Sequence, residues 1–212
     1  VVLGANTTLA TTLNGNIIFN STLNSDSSGT PRTLTTNITD TSTTYYWVDW
    51  VSTDTSSATK TITGTINIGG ELVSVTYSNT QGWFGVQTSG GISYWTSNTA
   101  TGTYTSSSIS NGPSTSDLIQ LQYQGSQTLT FSRSIENLAF AVMSLNGNGY
   151  RFSKDFNIVS SGQGYWGSGT FTKTTTGTTY DLNGTSGEPH GTILFPTSLS
   201  TLTWASISNE TW

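Results

Sequence analysis

The sequence contains no cysteine. Disulfide staples, thiol catalysis and thiolate metal sites are therefore all excluded. Charge is almost as scarce, with 8% of the 212 residues being Asp, Glu, Lys or Arg, against about 25% in an ordinary globular chain. The six bases, Arg32, Lys60, Arg133, Arg151, Lys154 and Lys173, are scattered along the chain. Binding nucleic acid requires several such groups together to neutralise phosphates, so no nucleic-acid partner is expected. The longest apolar run, "LAFAVM" at 138–143, is far below the ~20 residues of a spanning helix, and no membrane span is expected. A helical period is missing as well. Nowhere do apolar residues recur at i, i+3, i+4 and i+7 through three turns.

What remains is hydroxyls, glycine and aromatics. Ser and Thr account for 75 residues, beside 23 Gly, seven Trp, nine Tyr and eight Phe. The aromatics supply far more apolar area than a disordered chain carries, and 212 residues suffice for a real core. Solubility then rests on hydroxyls and amides rather than on ions, in the style of secreted proteins. The opening "VVLGANTT" reads as a mature form from which a signal has been removed. An extracellular or cell-surface location is the expectation.

Period-two alternation bounded by Gly, Asn and Ser clusters dominates the chain, which is the signature of strands. Val73, Val75 and Tyr77 alternate in "LVSVTY"; Ile119, Leu121 and Tyr123 alternate in "LIQLQY". Tyr150, Phe152, Phe156 and Ile158 share one parity in "YRFSKDFNI". Gly69-Gly70 separates two alternating runs, as a two-residue hairpin turn does. "IENLAFAVMSL" at 135–145 is apolar on both parities and predicts a central strand buried on both faces. The fold expected is all-β, a β-sandwich of jelly-roll type with an N-terminal strand extension. Composition changes near residue 60, from a Thr/Asn-rich stretch to one denser in aromatics. That places an extension at 1–59, a candidate donor strand, before a sandwich at 60–212.

From about residue 60 onward, "TGTINIGGELVSVTY", "GGISYW", "TYTSSSISNGPSTSDLIQL", "TLTFSRSIENLAFAVMSLNG", "YRFSKDFNIVSSGQGYWGSG", "LNGTSGEPHGTILF" and "LSTLTW" follow one another. In order and spacing this series resembles exported bacterial proteins that often carry a PEP-CTERM sorting tail. The resemblance implies a secreted β-sandwich of the cell surface or extracellular matrix, with no transferable catalytic residues. In such relatives the Trp after the last acidic turn is followed by a short "GFTVG"-like strand, whereas here the sequence closes on Trp212. Residues 1–45 loosely resemble the strand repeats of bacterial adhesin passengers.

The residues offer several candidate chemistries. His190, the only histidine, lies in "SGEPHGTILF", which reads as a tight turn fixed by Pro189 between Gly187 and Gly191. A Ser/His/Asp site lacks a G-x-S-x-G elbow. A glycoside hydrolase needs paired carboxylates, and of Glu71, Glu136, Glu188 and Glu210 only Glu136 has a strand context. The chain is not expected to be an enzyme. Calcium at "NSDSSG", through Asn24, Asp26, Ser28 and Gly29, lacks the closing Glu and the flanking helices; neither a metal nor any cofactor is expected. Trp83, Trp95 and Trp166 sit in Gly-rich contexts and are candidates for stacking on sugar rings, so a polysaccharide is a candidate partner for a carbohydrate-binding module. N-x-Ser/Thr sequons stand at Asn6, Asn20, Asn37, Asn183 and Asn209, about the number chance supplies, and permit glycosylation.

The foremost expectation is a structural protein of the surface or biofilm matrix. A sandwich short of one strand exposes an unpaired edge and an apolar groove, which proteins seldom leave open. A segment from a neighbouring subunit fills such a groove by strand addition. Val1, Val2, Leu3, Leu9, Leu13 and Ile17 are the candidate donor residues, with Trp212 at the other side of the joint. Head-to-tail donation does not close on itself, so self-association into a homopolymeric filament is expected.

Overall fold

The computed structural model describes residues 44–210. Among them the chain is all-β, with no helix. Eight strands make one antiparallel sheet, in the order β1 (Asp49–Asp54), β2 (Lys60–Ile68), β3 (Glu71–Asn79), β6 (Gly125–Ile135), β13 (Leu199–Ser206), β8 (Gly149–Phe152), β11 (Thr179–Gly187), β10 (Gly169–Thr176). Over its inner face lie two smaller sheets. One has three strands in the order β7 (Leu138–Val142), β12 (His190–Phe195), β9 (Asn157–Gly162). The other pairs β4 (Gly85–Gln87) with β5 (Leu118–Gln120). The result is a β-sandwich of unequal layers.

Alternation in sequence becomes the core directly. β2 and β3 pair so that Ile62 meets Tyr77 and Ile66 meets Val73, and all four side chains point inward and are buried. Gly69 and Gly70 make the turn between these strands with φ of +62° and +96°, which glycine adopts without a Cβ penalty. On β2 the inward position between Ile62 and Ile66 is Gly64. A Cβ there would stand 2.9 Å from the Trp50 ring and 2.5 Å from Asp49 O, so its absence lets bulged β1 lie close. Residues 44–59 precede the change in composition near residue 60, and they contribute β1 to the same sheet as the strands that follow.

Phe152 sits at the middle of the core. Its ring packs edge-on against Phe140, Phe156, Phe195 and Tyr150, and more nearly parallel against Trp204. Rings so arranged add about 0.5–1.5 kcal/mol per pair beyond burial.

Several sequence expectations are corrected here. The parity shared by Tyr150, Phe152, Phe156 and Ile158 persists, but the strand does not. The chain leaves the large sheet after Phe152 and enters the small one as β9, with Phe156 buried at the crossing. The run at 135–145 is not a central strand. β7 is the edge of its sheet, and Leu138 to Ala141 are half-buried. The alternation at 118–123 yields only the three residues of β5, after which Tyr123 is exposed. Glu136 lies in the two-residue turn between β6 and β7, beside Asn137 with φ +53°, not in a strand.

Candidate functional site

Between β5 and β7 the second layer is interrupted. A groove with a cavity of about 190 Å³ occupies the gap, more than the ~150 Å³ of an apolar cavity that admits benzene. Tyr77, Leu129, Phe131 and Trp204, from the large sheet, line it, together with Trp47, Val48, Trp50 and Trp95. The pattern of its walls is informative. Leu118 to Leu121 all line it, and so do Leu138 to Met143. Alternate residues of a strand point to opposite faces, so a cavity lying against one face meets every second side chain. Runs of four and six consecutive residues mean that the strand edges themselves border the groove. Among the described residues, β7 pairs only with β12 and β5 only with β4. Each edge therefore turns unpaired backbone toward the gap.

The wall beside β5 is tied in place by polar side chains. Asp117 accepts a hydrogen bond from the Trp50 N–H at 2.8 Å, and its carbonyl accepts one from Trp95 Nε1 at 2.9 Å. Burial pushes the Asp117 carboxyl up, opposed by the Trp50 N–H and reinforced by Asp49. Asn111 bonds the Tyr45 backbone through both ends of its amide, each at 2.7 Å. On the large sheet, Tyr77 donates to Gln127 Oε1, while Asn79 Nδ2 donates to Tyr77 Oη at 2.7 Å and to Gln127 Oε1 at 2.9 Å. This network satisfies the polar ends of groups buried in an otherwise apolar site.

Two groove residues keep a polar atom without a partner. Trp204 Nε1 and Glu210 Oε1 are buried and unbonded among the described residues. Glu210 is anchored by its backbone, whose N–H donates to Gln122 O at 2.9 Å. Burial raises its carboxyl to about 7, the charge of Glu188 adds to this, and hydrogen bonds from the Asn148 side chain and the Asn146 backbone oppose it. An uncompensated buried carboxyl is costly when ionised.

The residues singled out from sequence fall in different places. Val1, Val2, Leu3, Leu9, Leu13, Ile17 and Trp212 lie outside the described residues, as do Asn6, Asn20 and Asn37 and the loop at 24–29. Asn183 is half-buried on β11, and its side chain donates weakly to Thr174. Asn209 is exposed, and its Oδ1 accepts from the Gln124 N–H at 2.7 Å. Trp83 is half-buried, edge-on to Tyr77. Trp95 and Trp166 both line the groove. Trp166 is 40% exposed, stacks on Tyr94 at 5.1 Å and lies nearly parallel to the His190 ring at 6.4 Å.

His190 is wholly buried at the start of β12, where its Nδ1 meets Tyr104 Oη at 3.1 Å and the Ser144 N–H at 3.3 Å. An accepting Nδ1 leaves the proton on Nε2. Burial lowers the ring to about 4, against the pull of Glu188. Ser144 Oγ donates to Glu188 rather than to the imidazole, so no nucleophile–base pair is assembled there. Gly191 has a packing role: a Cβ would fall 2.1 Å from Ser160 O.

An open apolar groove was expected from the sequence, but not its place between β5 and β7, although a signal for that place was present. A run apolar on both parities at 138–143 marks an edge beside an apolar groove as readily as a central strand.

Fold and site together define the class: an all-β sandwich in which, among the described residues, the β5 and β7 edges beside the groove carry no further strand. Comparison of the chain with protein-family models, with characterised proteins and with solved structures gives no match.

Proposed function

We propose that the protein is a structural subunit of the cell surface or extracellular matrix, secreted and assembled into filaments by strand donation between copies. One observation carries this reading: two strand edges, β5 and β7, unpaired among the described residues, face one another across an apolar groove. A single exposed edge invites aggregation and is usually blunted by charge, proline or a covering loop. Here Leu118–Leu121 and Leu138–Met143 carry no charge and no proline, which is the composition of a binding site for an extended segment. The donor is the N-terminal stretch, charge-free as far as Asp26.

Electron microscopy of the purified chain tests this. Filaments are expected, and removal of residues 1–15 leaves monomers or short aggregates. Dispersed monomers from the intact chain, or normal filaments from the shortened one, would refute it.

A second reading, a monomeric glycan-binding module, is favoured by the cluster of exposed Trp166 with half-buried Tyr94 and Tyr165, whose rings lie 4.8–5.1 Å apart. Under it, Trp166→Ala abolishes binding to a polysaccharide and leaves the fold intact, as a glycan array and circular dichroism would report.

A further inference from the structure

We propose that the donated strand enters antiparallel to β5 and to β7 at once, joining the two small sheets into one six-stranded layer. This rests on the assembly reading above and specifies its partner: residues 1–17 of a second copy, with their odd-numbered side chains toward the groove floor.

Direction follows from connectivity. β5 reaches β6 through residues 121–124, and β6 reaches β7 through 136–137. Both links cross between layers, and links so short fold the chain back on itself. The neighbours agree. Phe140, midway along β7, already packs on Trp204, and Trp204 pairs with Gln127 near the start of β6. At the other strand, Gln122, just past β5, bonds Glu210, which follows β13, at the same end of the large sheet as the β6 start. β5 and β7 therefore both run opposite to β6 and parallel to one another. Their outer neighbours, β4 and β12, are antiparallel to them. One inserted strand running opposite to both restores strict alternation in the order β4, β5, donor, β7, β12, β9. Antiparallel pairing is also the slightly more stable kind per residue.

Facing follows from pattern. In residues 1–17 the odd positions hold Val1, Leu3, Leu9, Leu13 and Ile17, while the even positions hold Asn6, Thr8, Thr12, Asn14 and Asn16 among others. Period two puts those two sets on opposite faces. The lining contributes no Lys or Arg, and its acids are Asp117 and Glu210, so a charge-free segment enters without burying an unpaired charge. At about 3.4 Å per residue, five residues suffice to cover β7, and the segment has length to spare for the span between subunits.

The chain has no cysteine of its own, so introduced ones report cleanly. Phe140 points inward, and Ala139 and Ala141 alternate with it onto the outer face, which the even-numbered donor residues share. Full-length chains carrying Thr8→Cys, Ala10→Cys or Thr12→Cys are mixed with full-length chains carrying Ala139→Cys or Ala141→Cys on β7, or Leu118→Cys or Gln120→Cys on β5. Disulfides between different chains are then read on non-reducing gels. The expected result is linkage to both strands, with the preferred partner number falling as the donor number rises, and little linkage from Leu9→Cys. Linkage between copies in the rising order, to only one of the two strands, or from Leu9→Cys in preference overturns the inference and leaves strand donation standing. No linkage between copies at any pair, or linkage only within one chain that carries both cysteines, overturns strand donation as well.

Discussion

The two margins of the three-stranded sheet are treated in opposite ways. At the β9 margin the sandwich is sealed. β10, the last strand of the large sheet, lies against β9, and buried Phe156 fills the corner. Lys173 spans this corner, donating to Asp155 and, at 2.6 Å, to Phe156 O, with its ammonium 5.0 Å from the Phe156 ring. Among the described residues no such strap lies at the β7 margin; an apolar groove separates β7 from β5. Both margins are built from aromatic and aliphatic side chains, so hydrophobicity does not distinguish them. The difference is that at one margin the backbone has a neighbouring strand and a charged clip, and at the other, among the described residues, it has neither. A closed edge contributes to stability, whereas an open one is a template for pairing with another chain.

Charge placed on the open edge should break the contrast most completely. Ala141→Lys is expected to abolish filaments seen by electron microscopy, because an ammonium on a strand edge blocks pairing. Its unfolding free energy measured in urea should change by no more than about 0.5 kcal/mol, the range for surface substitutions.

Below both margins lies Phe152, and its loss weakens both. Phe152→Ala should cost about 3–5 kcal/mol in urea unfolding, the transfer and cavity cost of a buried ring.

The next effect is a dependence on pH. Glu210, at the open margin, titrates near 7 when folded and near 4.5 otherwise. Between those values the folded chain holds a proton that the unfolded chain has released, so stability from this residue falls as pH rises from 4.5 to 7. His190 has the reverse sign. Its folded value of about 4 lies below the ordinary 6.5, so its contribution rises with pH from 4 to 6.5 and is complete above that. The two slopes oppose one another, and the intact chain should be nearly flat between pH 4.5 and 6.5. Glu210→Gln should leave the rising limb of His190 exposed and should be more stable than the parent above pH 7, by on the order of 2–3 kcal/mol. Chemical denaturation at several pH values measures both.

The smallest effect belongs to the sealed margin. Lys173→Met keeps the aliphatic stem and removes the charge, and should cost about 1 kcal/mol with filaments unchanged. Loss of filaments in this variant would mean that the two margins are not independent.

Much of the fold was legible residue by residue. The inward set Val73, Val75 and Tyr77 and the Gly69-Gly70 turn were readable because they depend on neighbours two residues apart. "LAFAVM" was legible as buried but not as an edge, since a run apolar on both parities looks the same beside a partner strand or a vacant groove. Leu118 to Tyr123 alternates as a longer strand would, yet pairing stops at Gln120. His190 read as part of a tight turn but opens strand β12, and its burial beneath Trp166, like the burial of Glu210, depends on chain segments far away in sequence.

The sequence by itself determined that the chain forms strands, which side chains face inward, and that ions contribute little to its surface. Those are local properties, set by a two-residue period and by composition. Tertiary structure alone decided which edges acquired a neighbour. Pairing is made between segments such as β12 and β7, whose paired residues stand some 50 positions apart, and no local pattern records that β5 and β7 end up on either side of one groove, each unpaired toward it among the described residues.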